Sequence, residues 1–379
     1  MSEFSTVRGA FQGITAAMRK RLGALFLLLG AVAWARADVP KADEQVILFP
    51  ALAWHTEDGW AVDIHGWIFE PNLFGEISGL FRKAIGLPAA SLNADEESIL
   101  AQRAHWFTVD NEGGKRLAVT LNGRAYELAE SKPNGHFRSQ LSVSAAEAEQ
   151  LRARAAALGA RPSASIVTTF SDDRRFKGDL LFLEKQGVSV ISDIDDTIKI
   201  SVVTDKRELL KNTFLRPFQP VPGMAELYQR WAREAHAEFH YLSASPWQLY
   251  VPLDDFLRRH GFPQGSFHLK LFRWKDSSFF NLFEDPIQYK EDAIADLLGR
   301  YPDRRFLLIG DSGEKDPETY GAIARRYSRQ VAAIVIRAVA AADNNPARFQ
   351  TAFTGLSPAL WQVFSNPDQI RPIAFPPAQ

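Results

Sequence analysis

The spacing of apolar residues divides the chain into two parts. From about residue 46 to 183, short segments rich in β-branched and aromatic residues alternate with turn sequences, which is typical of β-strands. This pattern predicts strands at 46–49, 60–69, 116–121 and 165–170, and a helix at 144–158 that opens with a capping-box sequence. Asn122-Gly123, after the third strand, is favoured in tight hairpins. We therefore predict a small, β-sandwich-like accessory domain over residues 38–185.

From residue 188, continuous apolar runs alternate with amphipathic segments. The predicted strands are 188–191, 239–242, 267–272, 306–309 and 331–336, and the predicted helices are 223–235, 247–260, 290–300 and 317–329. Continuous apolar runs are typical of strands that a parallel sheet buries on both faces. The alternation predicts an α/β fold with a doubly wound parallel sheet over residues 186–345, followed by a C-terminal extension, 346–379.

Polar residues follow three of these predicted strands. Asp193 and Asp195 come after the first strand, Ser243 after the second, and Asp311 and Asp316 after the fourth. Ligands of doubly wound sheets bind at the carboxyl ends of the strands. One Asp after a strand is usually a turn or cap residue, but three such groups in one sheet favour a functional site.

Phosphoryl transfer is the chemistry that this set of residues suits. One carboxylate can attack phosphorus and form an aspartyl-phosphate, while a second carboxylate two residues later acts as general acid and base. Clustered carboxylates repel one another unless a cation joins them, and oxygen ligands favour Mg²⁺. A lysine and a serine hydroxyl can offset the charge of the phosphoryl oxygens.

Four motifs carry a resemblance to a known superfamily. Asp193-x-Asp195-x-Thr197 resembles the first motif of the haloacid dehalogenase (HAD) superfamily, and Ser243, Lys290 and the segment 310–316 follow in the order and spacing of its other motifs. Segments 192–198, 241–250 and 309–318 are similar to the actin-patch-type phosphatidate phosphatases. The resemblance is dense over about 188–340, whereas before it only 48–50 and 66–69 are similar.

The resemblance implies a role for each carboxylate. Asp193 would be the nucleophile and a Mg²⁺ ligand, and Asp195 the general acid and base, with its backbone carbonyl on the metal. Asp311 would be the other protein ligand, with Asp316 as a direct or water-mediated one. A general acid at Asp195 distinguishes phosphatases from dehalogenases, whose halide leaves without a proton.

The resemblance also implies roles for a hydroxyl and a lysine. Ser243 would bind the phosphoryl group, and Lys290 would neutralise it. Lys270 is a rival for this second role, although Lys290 is favoured because it opens the helix before the Asp311 strand. Ser245 either reaches the phosphate or caps the helix that follows it.

Other sequence signals are weaker. Asp196 is predicted to be a solvated loop or cap residue, and Thr197 to fix the loop through backbone hydrogen bonds. The eight histidines show no zinc-ligand spacing and no phosphate-binding P-loop is present, which argues against a zinc hydrolase and an NTPase.

The composition mainly excludes certain partners and kinds of site. Of the 379 residues, 46% are hydrophobic and 23% charged, which is ordinary for a globular protein. Lys and Arg total 44 against 45 Asp and Glu, so there is no basic excess to indicate a nucleic-acid partner. The absence of cysteine excludes disulfides, thiolate metal sites and a cysteine nucleophile.

Residues 1–37 are predicted to be a leader and signal peptide. A basic cluster at 18–21 precedes an apolar run at 22–35 and the small-residue sequence Ala35-Arg36-Ala37, so we expect cleavage before Asp38. The alternative is an uncleaved anchor, although the run is shorter than a spanning helix needs. We therefore expect an exported protein, periplasmic or secreted.

Three functions agree with the sequence. The leading one is a Mg²⁺-dependent phosphatidate phosphatase, as the resemblance implies. The second changes the substrate to a soluble phosphomonoester or a phosphoprotein, and the third is a non-catalytic exported binding module. Peripheral contact with a membrane is expected through the aromatic segment 274–283 with Arg273 and Lys275, flanked by Lys206-Arg207 and Lys211, unless these aromatic residues belong to the core.

Overall fold

A computed structural model describes residues 39–71, 92–168, 172–271, 287–339 and 345–374. The predicted signal peptide and the aromatic segment 274–283 lie outside the described residues. Among the residues that are described, no helix is long and apolar enough to cross a membrane.

The first half of the described chain is a largely antiparallel β-sheet. Its strands are β1 Gln45–Leu48, β2 Ala51–His55, β3 Gly59–Glu70, β4 Asp110–Asn111, β5 Ala118–Leu121, β6 Arg124–Glu127, β7 His136–Ser144, β8 Ser163–Ile166 and β9 Lys177–Phe182. The strand order is β1-β3-β2-β9-β8-β5-β6, with β4 and β7 also pairing with β3, and β2 and β9 run parallel. Two helices accompany the sheet, α1 Ala94–His105 and α2 Ala145–Ala157. The sandwich-like arrangement stays a prediction.

Two local signals of this half can be followed into the structure: the hairpin dipeptide formed its turn, and the capping box formed only in part. Asn122 and Gly123 join β5 to β6 with φ angles of 48° and 85°, as the predicted hairpin requires. The Ser144 hydroxyl caps α2 by accepting from the Glu147 backbone N–H. The Glu147 carboxylate instead accepts a hydrogen bond from the Tyr126 hydroxyl at 2.7 Å. Half of the predicted capping box is therefore present.

The second half is a parallel sheet with the predicted strands and one more. The strands are β10 Val188–Asp193, β11 Glu238–Pro246, β12 Gly265–Lys270, β13 Arg305–Asp311, β14 Val331–Arg337 and β15 Trp361–Phe364. Their order is β12-β11-β10-β13-β14-β15, and every neighbouring pair is parallel. The helices are α3 Lys206–Phe214, α4 Met224–Glu234, α5 Tyr250–Arg259, α6 Ile287–Arg300, α7 Asp316–Arg326 and α8 Pro346–Ala352. The sequence did not predict β15, which comes from the segment predicted to be a C-terminal extension.

Both faces of the parallel sheet are covered, which explains the continuous apolar runs. All six residues of β10 are buried; Val190 belongs to one apolar cluster and its neighbour Ile191 to the other. The first half contributes to the same packing, since the rings of Phe49 and Trp247 lie 4.2 Å apart. The boundary between the two predicted domains stays a prediction.

A buried histidine links three strands of the parallel sheet. His240 Nδ1 lies 2.8 Å from the Ser266 hydroxyl, and His240 Nε2 lies 3.1 Å from the Ser189 hydroxyl. Arg304 Nε donates to the same Ser189 oxygen at 3.0 Å. Burial lowers the pKa of His240 well below its usual value, and the charges of His268 and Arg304 lower it further. The imidazole is therefore neutral in the folded protein.

This histidine predicts a loss of stability in acid. Because the unfolded chain takes up a proton near pH 6.5 and the folded chain does not, stability is retained above that pH and falls below it. At pH 5, His240 alone should lower the free energy of unfolding by about 2 kcal/mol. Denaturant unfolding at pH 5 and pH 7 measures the difference. His240→Gln should make the difference smaller by this amount, and an unchanged difference would contradict the assignment.

Candidate active site

The candidate site lies where the order of the parallel strands reverses. From the central strand β10, the chain continues through β11 to β12 on one side and through β13 to β15 on the other. Such a reversal leaves a crevice at the carboxyl ends of the two central strands. Asp193 is the last residue of β10 and Asp311 the last residue of β13. Both carboxylates therefore reach the crevice.

Three carboxylates converge at this point. Carboxylate oxygens of Asp193, Asp311 and Asp316 all lie within 4.8 Å of one another, and all three residues are buried. Asp316 begins α7, and its Oδ2 accepts the backbone N–H of Asp311 at 3.2 Å. This bond fixes the start of the helix against the end of β13.

Lys290, from α6, is the cation of this cluster. Its Nζ donates to Asp193 Oδ1 at 3.0 Å, to Glu314 Oε2 at 2.8 Å and to Asp316 Oδ1 at 2.6 Å. Burial alone would lower the pKa of Lys290, but the three carboxylates raise it well above its usual value. One ammonium thus faces an excess of negative charge.

The donor set fits a divalent metal. Asp311 Oδ1 accepts the backbone N–H groups of Gly313 and Glu314 at 2.6 and 3.2 Å. Its buried Oδ2 has no hydrogen-bond partner among the described residues. Burial raises the pKa of both Asp193 and Asp311 well above the usual range, and the neighbouring carboxylates add to this shift. These carboxylate oxygens could bind a divalent metal, because a cation would satisfy the free oxygen and offset the repulsion.

Asp195 takes part in a separate hydrogen-bond network. Its Oδ2 accepts from the hydroxyls of Ser243 at 3.0 Å and Ser245 at 3.1 Å. Its Oδ1 accepts from the Ser201 hydroxyl at 2.7 Å and pairs with Lys199 Nζ at 2.7 Å. Burial would raise the pKa of Asp195, but Lys199 and the hydroxyl donors lower it to about 2. The carboxylate is therefore ionised at neutral pH.

The structure corrects the cap interpretation of Ser245. This residue lies within β11, and a single 3₁₀ turn begins after Pro246 with no side-chain cap from the described residues. The Ser245 hydroxyl instead donates to Asp195. Ser245 is therefore a neighbour of the site.

One prediction for the first motif is incomplete and another is wrong. The Thr197 hydroxyl donates to Asp193 Oδ2 at 3.0 Å, a contact that the prediction of backbone hydrogen bonds did not include. Asp196 is not solvated: it is 2% exposed, and its carboxylate accepts the backbone N–H groups of Ser201, Val202 and Val203. Its φ of 54° is one that Asp tolerates better than most residues. Asp196 thus folds the following loop back over the strand ends.

The other predicted cations come from other elements of the fold, β12 and α3. Lys270 ends β12 and lines a cavity of about 610 Å³ together with Trp247 and Tyr289. Lys211, expected to face anionic lipid, pairs with Glu208 at 2.7 Å. Of the two rival lysines, Lys290 has a hydrogen bond to Asp193, at 3.0 Å.

Sequence reasoning missed three residues of the site. Lys199 and Ser201 contact Asp195, and Glu314 contacts Lys290. The first two had a signal, because every second residue from Asp193 to Ser201 is polar, as in an extended segment with one polar side. Glu314 lies in a polar loop with no such pattern.

The second half of the chain is similar to known proteins. Residues 188–338 match the family model "Phosphatidate phosphatase APP1, catalytic domain". The chain is 34% identical over 159 residues to phosphatidate phosphatase APP1 of Saccharomyces cerevisiae, covering 41% of this chain and 27% of that protein. It is 30% identical over 183 residues to an uncharacterized protein of Schizosaccharomyces pombe, covering 46% and 30%. The resemblance predicted from the motifs is confirmed over this segment.

The extent of these matches is limited. The chain spans less than a third of the length of either relative. Among solved structures, a carbohydrate esterase is similar at 9% identity and a TM-score of 0.21, covering 77% of this chain and 88% of that one. This score is too low to support an argument about the fold.

Proposed function

We propose that this chain is a HAD-like, Mg²⁺-dependent phosphatidate phosphatase that works through an aspartyl-phosphate at Asp193. The main support is the buried cluster of Asp193, Asp311 and Asp316 with Lys290, at the point where the strand order reverses. The match of residues 188–338 to a phosphatase catalytic domain supports the same reaction. A phosphoric monoester hydrolase is the class that both observations favour.

Asp193 is the nucleophile in this proposal. Its carboxylate oxygen forms a bond to phosphorus as the bond between phosphorus and the ester oxygen breaks. Hydrogen bonds from Thr197 and Lys290 hold one carboxylate oxygen each and so fix the direction of attack. Water then attacks phosphorus, which releases inorganic phosphate and restores the Asp193 carboxylate.

Asp195 transfers the protons. In the first step it gives a proton to the leaving ester oxygen, and in the second it takes one from the attacking water. The lowered pKa of Asp195 favours the ionised form, which is the form that accepts the proton of water. For the first step Asp195 has to gain a proton, which the monoanion of a phosphomonoester carries. The Ser243 hydroxyl, 3.0 Å from Asp195, is placed to bind the phosphoryl group beside it.

Asp193, Asp311 and Asp316 would hold the metal, together with the Asp195 backbone carbonyl. When bound, Mg²⁺ neutralises carboxylate charge and stabilises charge on the phosphoryl oxygens. The Oδ2 of Asp311, which has no hydrogen bond from any described residue, supports this ligand set. The choice of Mg²⁺ rests on the all-oxygen donors.

A phospholipid substrate follows from the relative named as a phosphatidate phosphatase. The accessory domain, export from the cytoplasm and peripheral membrane contact through 274–283 remain part of the proposal on sequence grounds.

Phosphate release from dispersed phosphatidate and from p-nitrophenyl phosphate, each with Mg²⁺ or EDTA, tests the function. We expect both substrates to be hydrolysed in Mg²⁺ and neither to be hydrolysed in EDTA. Release from p-nitrophenyl phosphate alone would favour a soluble substrate, and release from neither would contradict the proposal.

Replacing Asp195 by Asn should affect substrates according to their leaving groups. General acid help is worth about 10²–10⁴-fold. An alkyl phosphate needs a proton on its leaving oxygen, whereas p-nitrophenolate leaves without one. We expect kcat/KM to fall by about 10²-fold or more on an alkyl phosphate and much less on p-nitrophenyl phosphate. Equal losses would contradict the acid role.

A further inference from the structure

We propose that Lys199 is the positioning residue that fixes the carboxylate of Asp195 for proton transfer. Lys199 Nζ lies 2.7 Å from Asp195 Oδ1, and its side chain is 2% exposed. The same ammonium donates to the Ser201 hydroxyl, which itself donates to Asp195 Oδ1 at 2.7 Å. The proposal rests on the proposed function, in which Asp195 is the acid and base.

The backbone holds Lys199 in place from both sides. Its N–H donates to the Ile194 carbonyl at 3.0 Å, and its carbonyl accepts the Asp196 N–H at 2.7 Å. Lys199 also forms an isolated bridge with Pro220. Because these bonds fix the backbone of Lys199, its side chain extends towards Asp195 from a fixed backbone position.

Within the described part of the chain, the Lys199 ammonium pairs with one carboxylate, that of Asp195. Lys199 Nζ lies 4.8 Å from the centre of the Phe218 ring, whose face attracts a cation. Lys290 pairs with Asp193, Glu314 and Asp316 instead. Lys199 and Lys290 therefore pair with different carboxylates, and Lys290 has no contact with Asp195 that could replace that of Lys199.

The contacts of Asp195 explain why the loss of Lys199 should alter chemistry. Each carboxylate oxygen has two donors: Lys199 and Ser201 on Oδ1, and Ser243 and Ser245 on Oδ2. The Oδ2 donors are neutral hydroxyls beside the proposed phosphoryl site, so the ammonium is the fixed charge that orients the Asp195 carboxylate. Without the ammonium, the three hydroxyls remain, but they hold the carboxylate less firmly against the ester oxygen than a buried ion pair does.

Lys199→Met, compared with Lys115→Met, tests the proposal. Lys115 is a matched control, because it is a buried lysine paired with Glu44 at 2.5 Å, in the first half of the chain. We expect Lys199→Met to lower kcat/KM about 10²-fold on an alkyl phosphate and about 10-fold or less on p-nitrophenyl phosphate. Lys115→Met should lower the melting temperature without changing the ratio of the two activities. Equal losses on both substrates in Lys199→Met would overturn the proposal.

A double-mutant cycle with Asp195→Asn separates positioning from an independent role. If Lys199 acts through Asp195, Lys199→Met should cost little further activity once Asp195 is Asn. Losses that multiply would overturn the proposal. If Lys199→Met does not fold, Ser201→Ala removes the bridging hydroxyl and should shift the same activity ratio less strongly. An unchanged ratio in that variant would count equally against the proposal.

A readout without turnover distinguishes this proposal from the proposed function. Lys199→Met should lower the melting temperature when Asp195 is present, because it leaves a buried carboxylate without its cation. It should not do so in the Asp195→Asn background. A wild-type protein without phosphatase activity would contradict the proposed function. The absence of this coupling in the melting temperatures would overturn the positioning role.

Discussion

Asp193→Asn should abolish phosphate release while the fold remains intact. The substitution is nearly isosteric, but the amide is a poor nucleophile and a poor metal ligand. We expect activity to fall below a tenth of wild type on both an alkyl phosphate and p-nitrophenyl phosphate, because the attack on phosphorus is common to both. Initial rates of phosphate release with Mg²⁺ measure this loss. It differs from the expected loss in Asp195→Asn, which depends on the leaving group.

Two controls separate the lost nucleophile from a damaged fold. In EDTA, Asp193→Asn should melt at a higher temperature than wild type, because it removes one of several carboxylates that repel one another. Asp205→Asn should leave activity unchanged, since Asp205 caps α3 and Asn caps a helix equally well. Residual activity above a tenth of wild type in Asp193→Asn would contradict its assignment as nucleophile.

The parallel sheet could be predicted because its signal is local. The apolar run that ends at Asp193 is buried on both faces, and burial of this kind appears in the sequence as an unbroken run. Strand β15, Trp361–Phe364, escaped prediction because it is at the edge of the sheet and three of its four residues are only partly buried. An edge strand this short has no distinctive pattern.

The carboxylate cluster could be predicted for a topological reason. Parallel strands gather their carboxyl ends at one edge, so a polar residue after each strand indicates one site. Asp193 and Asp311 met there because β10 and β13 are neighbours. Neither the distances between the carboxylates nor the excess of charge around Lys290 could be derived from spacing, because they depend on how α6 and α7 pack.

The Asp195 network was missed because a distant segment forms it. Ile200 donates its backbone N–H to Gln219, and Val221 donates its own to Ile198. These bonds turn the loop after the first motif back over the strand ends, which buries Asp196 and Lys199. A sequence shows such residues as ordinary polar loop positions, because burial depends on a partner some twenty residues away.

Lys290→Met should strongly destabilise the protein. Lys290 Nζ donates to three carboxylates, and Asp311 lies beside two of them. Removing one partner of a buried ion pair costs about 3–5 kcal/mol, since it leaves uncompensated charge. We therefore expect the melting temperature in EDTA to fall by about 10 °C. Thermal unfolding followed by circular dichroism measures this.

If uncompensated carboxylate charge destabilises Lys290→Met, two further changes in its stability are expected. Millimolar Mg²⁺ should raise the melting temperature of Lys290→Met more than that of wild type, because the remaining carboxylates have lost their competing cation. Adding Asp193→Asn to Lys290→Met should recover part of the lost stability, because it removes one of the carboxylates left without a cation. A Lys290→Met protein as stable as wild type in EDTA would show that the cluster needs no cation. Repulsion among Asp193, Asp311 and Asp316 would then give no electrostatic reason for a metal to bind there.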